Sequence, residues 1–258
     1  MAWDALFFKE GRFRPDPQKS VEWNRGAFLV EGLGHCGACH TPKNILGGDK
    51  TSAYLQGSSL QGWFTPNITN DGVKGIGDWS ADDIVAYLRS GHNCVSAATG
   101  PMAEEIALSS SHMTEADLSA IATYLKSVPG EARTEPQPIA VNDPAMVAGQ
   151  AIYRDQCSAC HGLDGKGVAS LFPSLADSGV LRSKDPRTVI RLVLRGARSV
   201  GTKNEPTAPG MPSFARQLSN EQIAAVLTYA RNAWGHPAPL VASSDVANAR
   251  RDLRTRTD

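Results

Sequence analysis

The pentapeptide Cys36-Gly37-Ala38-Cys39-His40 recurs as Cys157-Ser158-Ala159-Cys160-His161, and the remaining cysteine of the 258-residue chain is Cys94. The spacing C-x-x-C-H suits attachment of a c-type haem: two thiols add across the porphyrin vinyl groups, and the adjoining imidazole becomes the proximal iron ligand. A chain that carries two such groups has to build each half around a flat cofactor, so this pair of motifs constrains the fold more than any other feature. Two other chemistries use paired cysteines. Four thiolates around one zinc would not need a histidine directly after each second cysteine, and such pairs sit closer together in sequence. A redox dithiol needs one pair in a βαβ setting, which the pattern here lacks.

The chain is 41% hydrophobic and 20% charged, within the ordinary range for one or two globular domains with real cores. Lysine plus arginine and aspartate plus glutamate number 26 each, giving zero formal charge. Haem propionates would make the loaded protein somewhat acidic, so neither a basic patch nor a nucleic-acid partner is expected. No apolar run reaches the length of a membrane span, and Met1 to Lys9 lacks the charged start and long apolar region of an export signal. Because bacterial haem c is attached outside the cytoplasm, the sequence reads as a mature or truncated form of a periplasmic protein.

In chain order, residues 1–20 read as an irregular lead-in broken by Gly11, Pro15 and Pro17. Residues 21–130 form a first domain. A helix from Glu22 to about Gly32 delivers the chain to the first motif, and its Gly26 either lets another helix approach closely or is an ordinary helix glycine. Residues 41–79 are glycine-rich and read as a wrap around the haem edge. A helix capped by Ser80 runs to Gly91 and buries Ile84, Val85 and Leu88. Another, capped by Thr114, buries Leu118, Ile121, Ala122 and Leu125 before Pro129-Gly130 ends it.

Residues 131–144 have the composition of a stiff proline-rich linker, and residues 145–240 repeat the pattern as a second domain. Its lead helix is Val147 to Gln156, its middle helix Asp185 to Arg195 ending at Gly196, and its last helix starts at Ser219 and buries Ile223, Val226, Leu227 and Ala230. Middle and last helices lie 105 residues after their counterparts, whereas the motifs lie 121 apart, so the first domain carries about 16 extra residues after its motif. Residues 241–258 read as a polar tail. The fold class is all-α: two tandem class I cytochrome c domains, each a few helices around one covalently bound haem.

Each iron needs a sixth ligand, and a methionine thioether is the common one in such domains. Met102 in Gly-Pro-Met and Met211 in Gly-Met-Pro both lie between the middle and last helices, with prolines to stiffen their loops. Met113 precedes a helix cap and reads as an apolar staple, and Met146 as core or surface. His92 and His112 are rivals in the first interval, whereas the second offers no histidine between His161 and His236. His35, Trp63, Trp79 and Cys94 read as surface or packing residues first.

The stretch Gly26 to Asn44 around the first motif, Ala98-Thr-Gly-Pro-Met-Ala-Glu-Glu105 and Ala208-Pro-Gly-Met-Pro-Ser-Phe214 resemble the cytochrome c subunits of bacterial periplasmic, membrane-associated dehydrogenases. The resemblance runs from about Ala5 to Trp234. It implies thioether attachment at Cys36, Cys39, Cys157 and Cys160, proximal ligation by His40 and His161, and distal ligation by Met102 and Met211. It also implies two haem c, a catalytic partner subunit of flavin, PQQ or molybdenum type, peripheral association with the outer face of the inner membrane, and a quinone or other acceptor downstream. Family members typically carry three C-x-x-C-H motifs, and this chain resembles the second and third of their domains. The chain is expected to be an electron carrier rather than an enzyme. The competing reading is a di-haem peroxidase with one open iron.

Overall fold

The structure is a computed structural model that describes residues 2–8, 10–130, 136–169, 171–203 and 205–255. The first half of the chain runs α1 (Ala2–Phe7), α2 (Val21–Phe28), a π-helical turn (Leu29–Leu33) and α3 (Gly37–His40). A hairpin of β1 (Ser58–Leu60) and β2 (Trp63–Thr65) follows, then α4 (Ala81–Ser90), α5 (Pro101–Leu108) and α6 (Glu115–Ser127). The second half runs α7 (Pro144–Gln156), α8 (Ser158–His161), α9 (Gly179–Arg182) and α10 (Arg187–Arg195). It ends with the short hairpin of β3 (Ala197–Arg198) and β4 (Gly210–Met211), then α11 (Asn220–Asn232) and α12 (Ser243–Asp252). Helices dominate, and each hairpin is a local antiparallel pair, so the all-α expectation holds.

Packing divides the chain into two compact units: Met1–Val85 with Met113–Ala132, and Ala86–His112 with Arg133–Asp258. The sequence repeat places its boundary at 131–144, whereas packing gathers 86–112 with the second unit. One reason is that a Cβ on Gly91 would lie 1.9 Å from Val200 Cγ1, and Ala98, Ile106 and Val200 share one buried cluster. Residues 131–135 of the expected linker lie outside the described residues. Its end is ordered by Asp143, whose carboxylate accepts from the Ala145 backbone N–H at 2.8 Å and caps α7.

In each unit the lead helix crosses the last helix at a glycine. A Cβ on Gly26 would stand 1.9 Å from the Ala120 carbonyl oxygen, and one on Gly149 would stand 2.2 Å from that of Ala225. Of the two readings of Gly26, close approach is therefore the one that applies. The aromatic rings of Trp23 and Tyr124 meet at 5.1 Å beside the first crossing, and those of Tyr153 and Tyr229 at 5.4 Å beside the second. Leu118 and Ile223, equivalent residues 105 apart, are both fully buried, worth roughly 1.5–3 kcal/mol each. Ser219 and Gln222 complete a capping box at the start of α11, while Thr114 caps α6 through the Asp117 N–H at 3.2 Å.

A cation on each last helix ties down the loop that precedes the middle helix. Lys126 donates to the Gly77 and Trp79 carbonyls at 2.5 and 3.0 Å. Arg231, also 105 residues on, donates to the carbonyls of Leu181 at 3.0 Å, Pro239 at 2.7 Å and Ser183. Burial lowers the Arg231 pKa to about 10, partly offset by Asp185.

Three expectations are corrected. The lead-in contains α1, because Trp3 and Phe7, one turn apart, stack at 5.6 Å and Phe7 covers Gly48, where a Cβ would meet its ring at 2.3 Å. The glycine-rich wrap at 41–79 includes the β1–β2 hairpin. The polar tail contains α12: Val241 and Val246 are buried in one cluster with Ile190, Leu194 and Ile223. Arg250 anchors that helix by donating to the carbonyls of Leu218 at 3.0 Å and Ala215, and to Asn220 Oδ1 at 2.9 Å. Sparse apolar residues hid the helix, since two valines suffice to seat it.

Candidate haem-binding sites

In α3 and α8 the two cysteines stand three residues apart on one helical turn, which presents both sulfurs on the same side. None of the four thiols is in a disulfide, and Cys36, Cys39 and Cys157 are half-buried. Burial raises the Cys157 pKa to about 11, with Cys160 adding to the effect, so this sulfur stays a neutral thiol. No group of three or more His, Cys, Asp or Glu side chains that could hold a metal ion occurs among the described residues.

The histidines carry the sharper signal. His40 Nδ1 lies 2.7 Å from the Pro66 carbonyl oxygen, and His161 Nδ1 lies 3.1 Å from that of Pro173. A carbonyl only accepts, so Nδ1 carries the proton and Nε2 keeps the lone pair that iron requires. Burial lowers both imidazole pKa values, against the opposing effect of the proline bonds, and favours the neutral ligand form. The donor set of each half, two thiols and an oriented neutral imidazole, thus fits a covalently bound haem.

The backbone behind each histidine is held alike. The His40 carbonyl accepts from Gly57 N–H at 2.8 Å and the His161 carbonyl from Gly167 N–H at 2.9 Å. Both glycines have positive φ, +91° and +67°, a region other residues enter only with strain. The partner glycine comes 17 residues after His40 but 6 after His161, and the partner proline 26 against 12. Fourteen of the 16 extra residues of the first half thus fall between histidine and proline. They form a brace: Thr65 Oγ1 donates to the Cys39 carbonyl at 2.7 Å, and Thr41 Oγ1 accepts from Leu55 N–H at 3.1 Å. In the second half Tyr153 OH does comparable work on the Gly162 carbonyl at 2.7 Å.

The sequence-expected residues fall as follows. Cys36 stands at the N-terminal cap of α3, which carries Cys39 and His40, in the first unit, and Cys157 at the cap of α8, which carries Cys160 and His161, in the second. Met211 is half-buried on β4, paired with Ala197. Met102 is half-buried near the start of α5 and packs against the Ala98–Ile106–Val200 cluster of the second unit. Sequence reasoning missed Pro66 and Pro173 as histidine partners. They lie 107 residues apart, close to the helix offset of 105, and that near-match was the available signal.

Helices of this kind around C-x-x-C-H turns with a carbonyl-anchored histidine define a c-type cytochrome, and the cytochrome c family model matches residues 146–234. Residues 146–234 belong to that family. As a whole the chain is related to the cytochrome c subunits of bacterial dehydrogenases. It is 37% identical over 97% of its length to the gluconate 2-dehydrogenase cytochrome c subunit of Pantoea cypripedii, of which it covers 61%. It is 36% identical over 96% of its length to the quinone alcohol dehydrogenase cytochrome c subunit of Gluconacetobacter polyoxogenes, of which it covers 57%. A diheme c-type cytochrome of Cereibacter sphaeroides is 44% identical over 50% of the chain and 41% of its own length. The chain thus spans about three fifths of the first two relatives. No described helix is long and apolar enough to cross a membrane.

Proposed function

We propose that the chain is a periplasmic di-haem cytochrome that carries electrons from the catalytic subunit of a dehydrogenase to the respiratory chain. The donor would be a flavin, PQQ or molybdenum subunit, and the acceptor a quinone, another cytochrome or an oxidase. The observation that carries this reading is the recurrence, in both halves, of an imidazole held by a proline carbonyl beside two cysteines that form no disulfide. The names of the dehydrogenase-subunit relatives and of the diheme relative point the same way.

Haem c supplies an iron that gains and loses one electron without breaking bonds. In this chain Cys36 and Cys39, and Cys157 and Cys160, would anchor the two groups, with His40 and His161 as proximal ligands. Met102 and Met211 would supply the distal sulfur, a soft donor that raises the potential and closes the iron to small molecules. The Pro66 and Pro173 carbonyls fix the imidazole planes, and the glycine crossings hold the walls on either side. No residue is assigned bond-making chemistry on an organic substrate.

Purification from a host that matures haem c tests the reading: the intact mass and haem content should correspond to two haems per chain. A bare polypeptide mass would overturn it. Co-purification from the native host, with identification of the associated large subunit, tests the partner.

A further inference from the structure

Zero net charge hides a division along the chain. Residues 1–130 hold 14 acidic and 10 basic side chains, and residues 131–258 hold 12 and 16, so halves of formal charge −4 and +4 cancel. The contrast is concentrated at the middle helix and its surroundings. Positions 182–203 carry seven basic residues and one acidic residue, whereas the equivalent positions 77–98 carry one basic and three acidic. Asp82 at the start of α4 corresponds to Arg187 at the start of α10, and Ser90 and Asn93 correspond to Arg195 and Arg198. The absence of a basic patch expected from overall charge is therefore corrected.

Arg187, Arg195 and Arg198 are exposed, while Arg191 between them is buried at 3%. Two of the three heads are held in place: Arg187 meets Asp185 in an ion pair, and Arg198 Nη1 donates to the Ala208 carbonyl at 2.9 Å. Arg198 stands opposite Gly210 in the β3–β4 ladder, and Ala197 opposite Met211. The cationic surface thus adjoins the strand that bears the expected sulfur ligand of the second haem. Arginine predominates over lysine here, and a guanidinium fork matches carboxylate geometry where an ammonium does not.

We propose that the Arg187–Arg195–Arg198 surface is the docking face for an acidic redox protein that exchanges one electron with the second haem. This rests on the di-haem reading above. The exchange forms and breaks no bond: the iron rises one oxidation state as the partner's one-electron centre falls, or the reverse. The first half, with aspartates and neutral residues at the equivalent positions, offers such a partner no counterpart. Long-range attraction of this kind speeds encounter and weakens as salt screens it.

The test uses the haem-loaded protein and an acidic flavodoxin as probe. Binding is read by calorimetry at low and physiological ionic strength, and electron transfer from the flavodoxin hydroquinone by stopped flow. The double variant Arg195→Glu with Arg198→Glu should weaken binding and slow reduction of the second haem by at least tenfold at low salt, and flatten the salt dependence. Asp82→Lys should change neither. Intact mass and the two-haem spectrum of the variant are checked first. A missing haem in the parent protein would sink the di-haem reading. Two haems with unchanged binding and salt dependence in the double variant would sink the docking face alone. Salt-sensitive binding to anionic vesicles or duplex DNA, with none to flavodoxin, would also overturn it.

Discussion

The two halves that carry the C-x-x-C-H motifs solve one problem with different amounts of chain. Both cross a lead and a last helix at a glycine, hold a histidine Nδ1 by a proline carbonyl, and pin the histidine's own carbonyl with a left-handed glycine. The first half spends 26 residues between histidine and proline and braces the turn with a hairpin and two threonines. The second spends 12, and adds α12 with its Arg250 anchor instead. The difference teaches which contacts a haem-binding turn requires: those that orient the imidazole recur, whereas bracing is supplied by whatever chain is at hand.

The equivalence of the halves is most directly broken by removing the attaching sulfurs. Cys36→Ser with Cys39→Ser, and Cys157→Ser with Cys160→Ser, should each lower the intact mass by one haem and leave the other attached. Next, Met102→Ala and Met211→Ala should each remove half of the thioether-to-iron absorption at the red end of the ferric spectrum. Loss at Met211 with none at Met102 would show that the first half uses another ligand, with His92 and His112 to be tried next. Gly26→Ala and Gly149→Ala should each destabilise by about 1–3 kcal/mol in denaturant titrations, since the obstacle is a backbone carbonyl that cannot rotate away. Tolerance at one crossing and not the other would end the claim that they are the same joint.

A smaller effect separates the halves. Val246→Ala in α12 should cost about 2 kcal/mol, seen as earlier unfolding of the second half with the first unchanged. The smallest concerns acid. Arg25 holds the half-buried Asp117 carboxylate below its usual pKa by a two-pronged bond of 2.7 and 3.0 Å, a link between α2 and α6. Because the folded value is the lower one, the unfolded chain takes up its proton first as pH falls. The contribution is present above about pH 4, the ordinary aspartate range, and is lost on acidification through the folded value. Asp117→Asn should flatten that slope slightly, and an NMR titration of Asp117 reads the shift directly.

Much of this was legible in the sequence. The motifs pointed to the two histidines that the proline carbonyls hold, capping serines and a threonine with apolar spacing gave α4, α6 and α11 within a few residues, and the internal repeat gave α10. What escaped depended on contacts between residues distant in sequence. α1 forms because Phe7 finds Gly48, and α12 because Val246 finds the cluster around Ile190; the first is too short to show a helical period and the second has too few apolar residues to announce itself. The proline carbonyls were missed because a backbone acceptor leaves no mark in residue type, and only the 107-residue spacing of the two prolines hinted at them. Overall charge concealed the basic α10 because a sum discards position.

The π-helical turn at Leu29–Leu33 has a consequence for how such a chain diverges. Gly26 precedes its first cysteine by ten residues, and Gly149 precedes its own by eight. A widened turn takes up extra residues without rotating the crossing glycine off its partner, so the joint and the cofactor turn need not keep step. Insertions can therefore be absorbed in that span, although Leu29 and Val30 within it remain bound to the core, and a ruler cut to the second half would misplace the cysteines of the first.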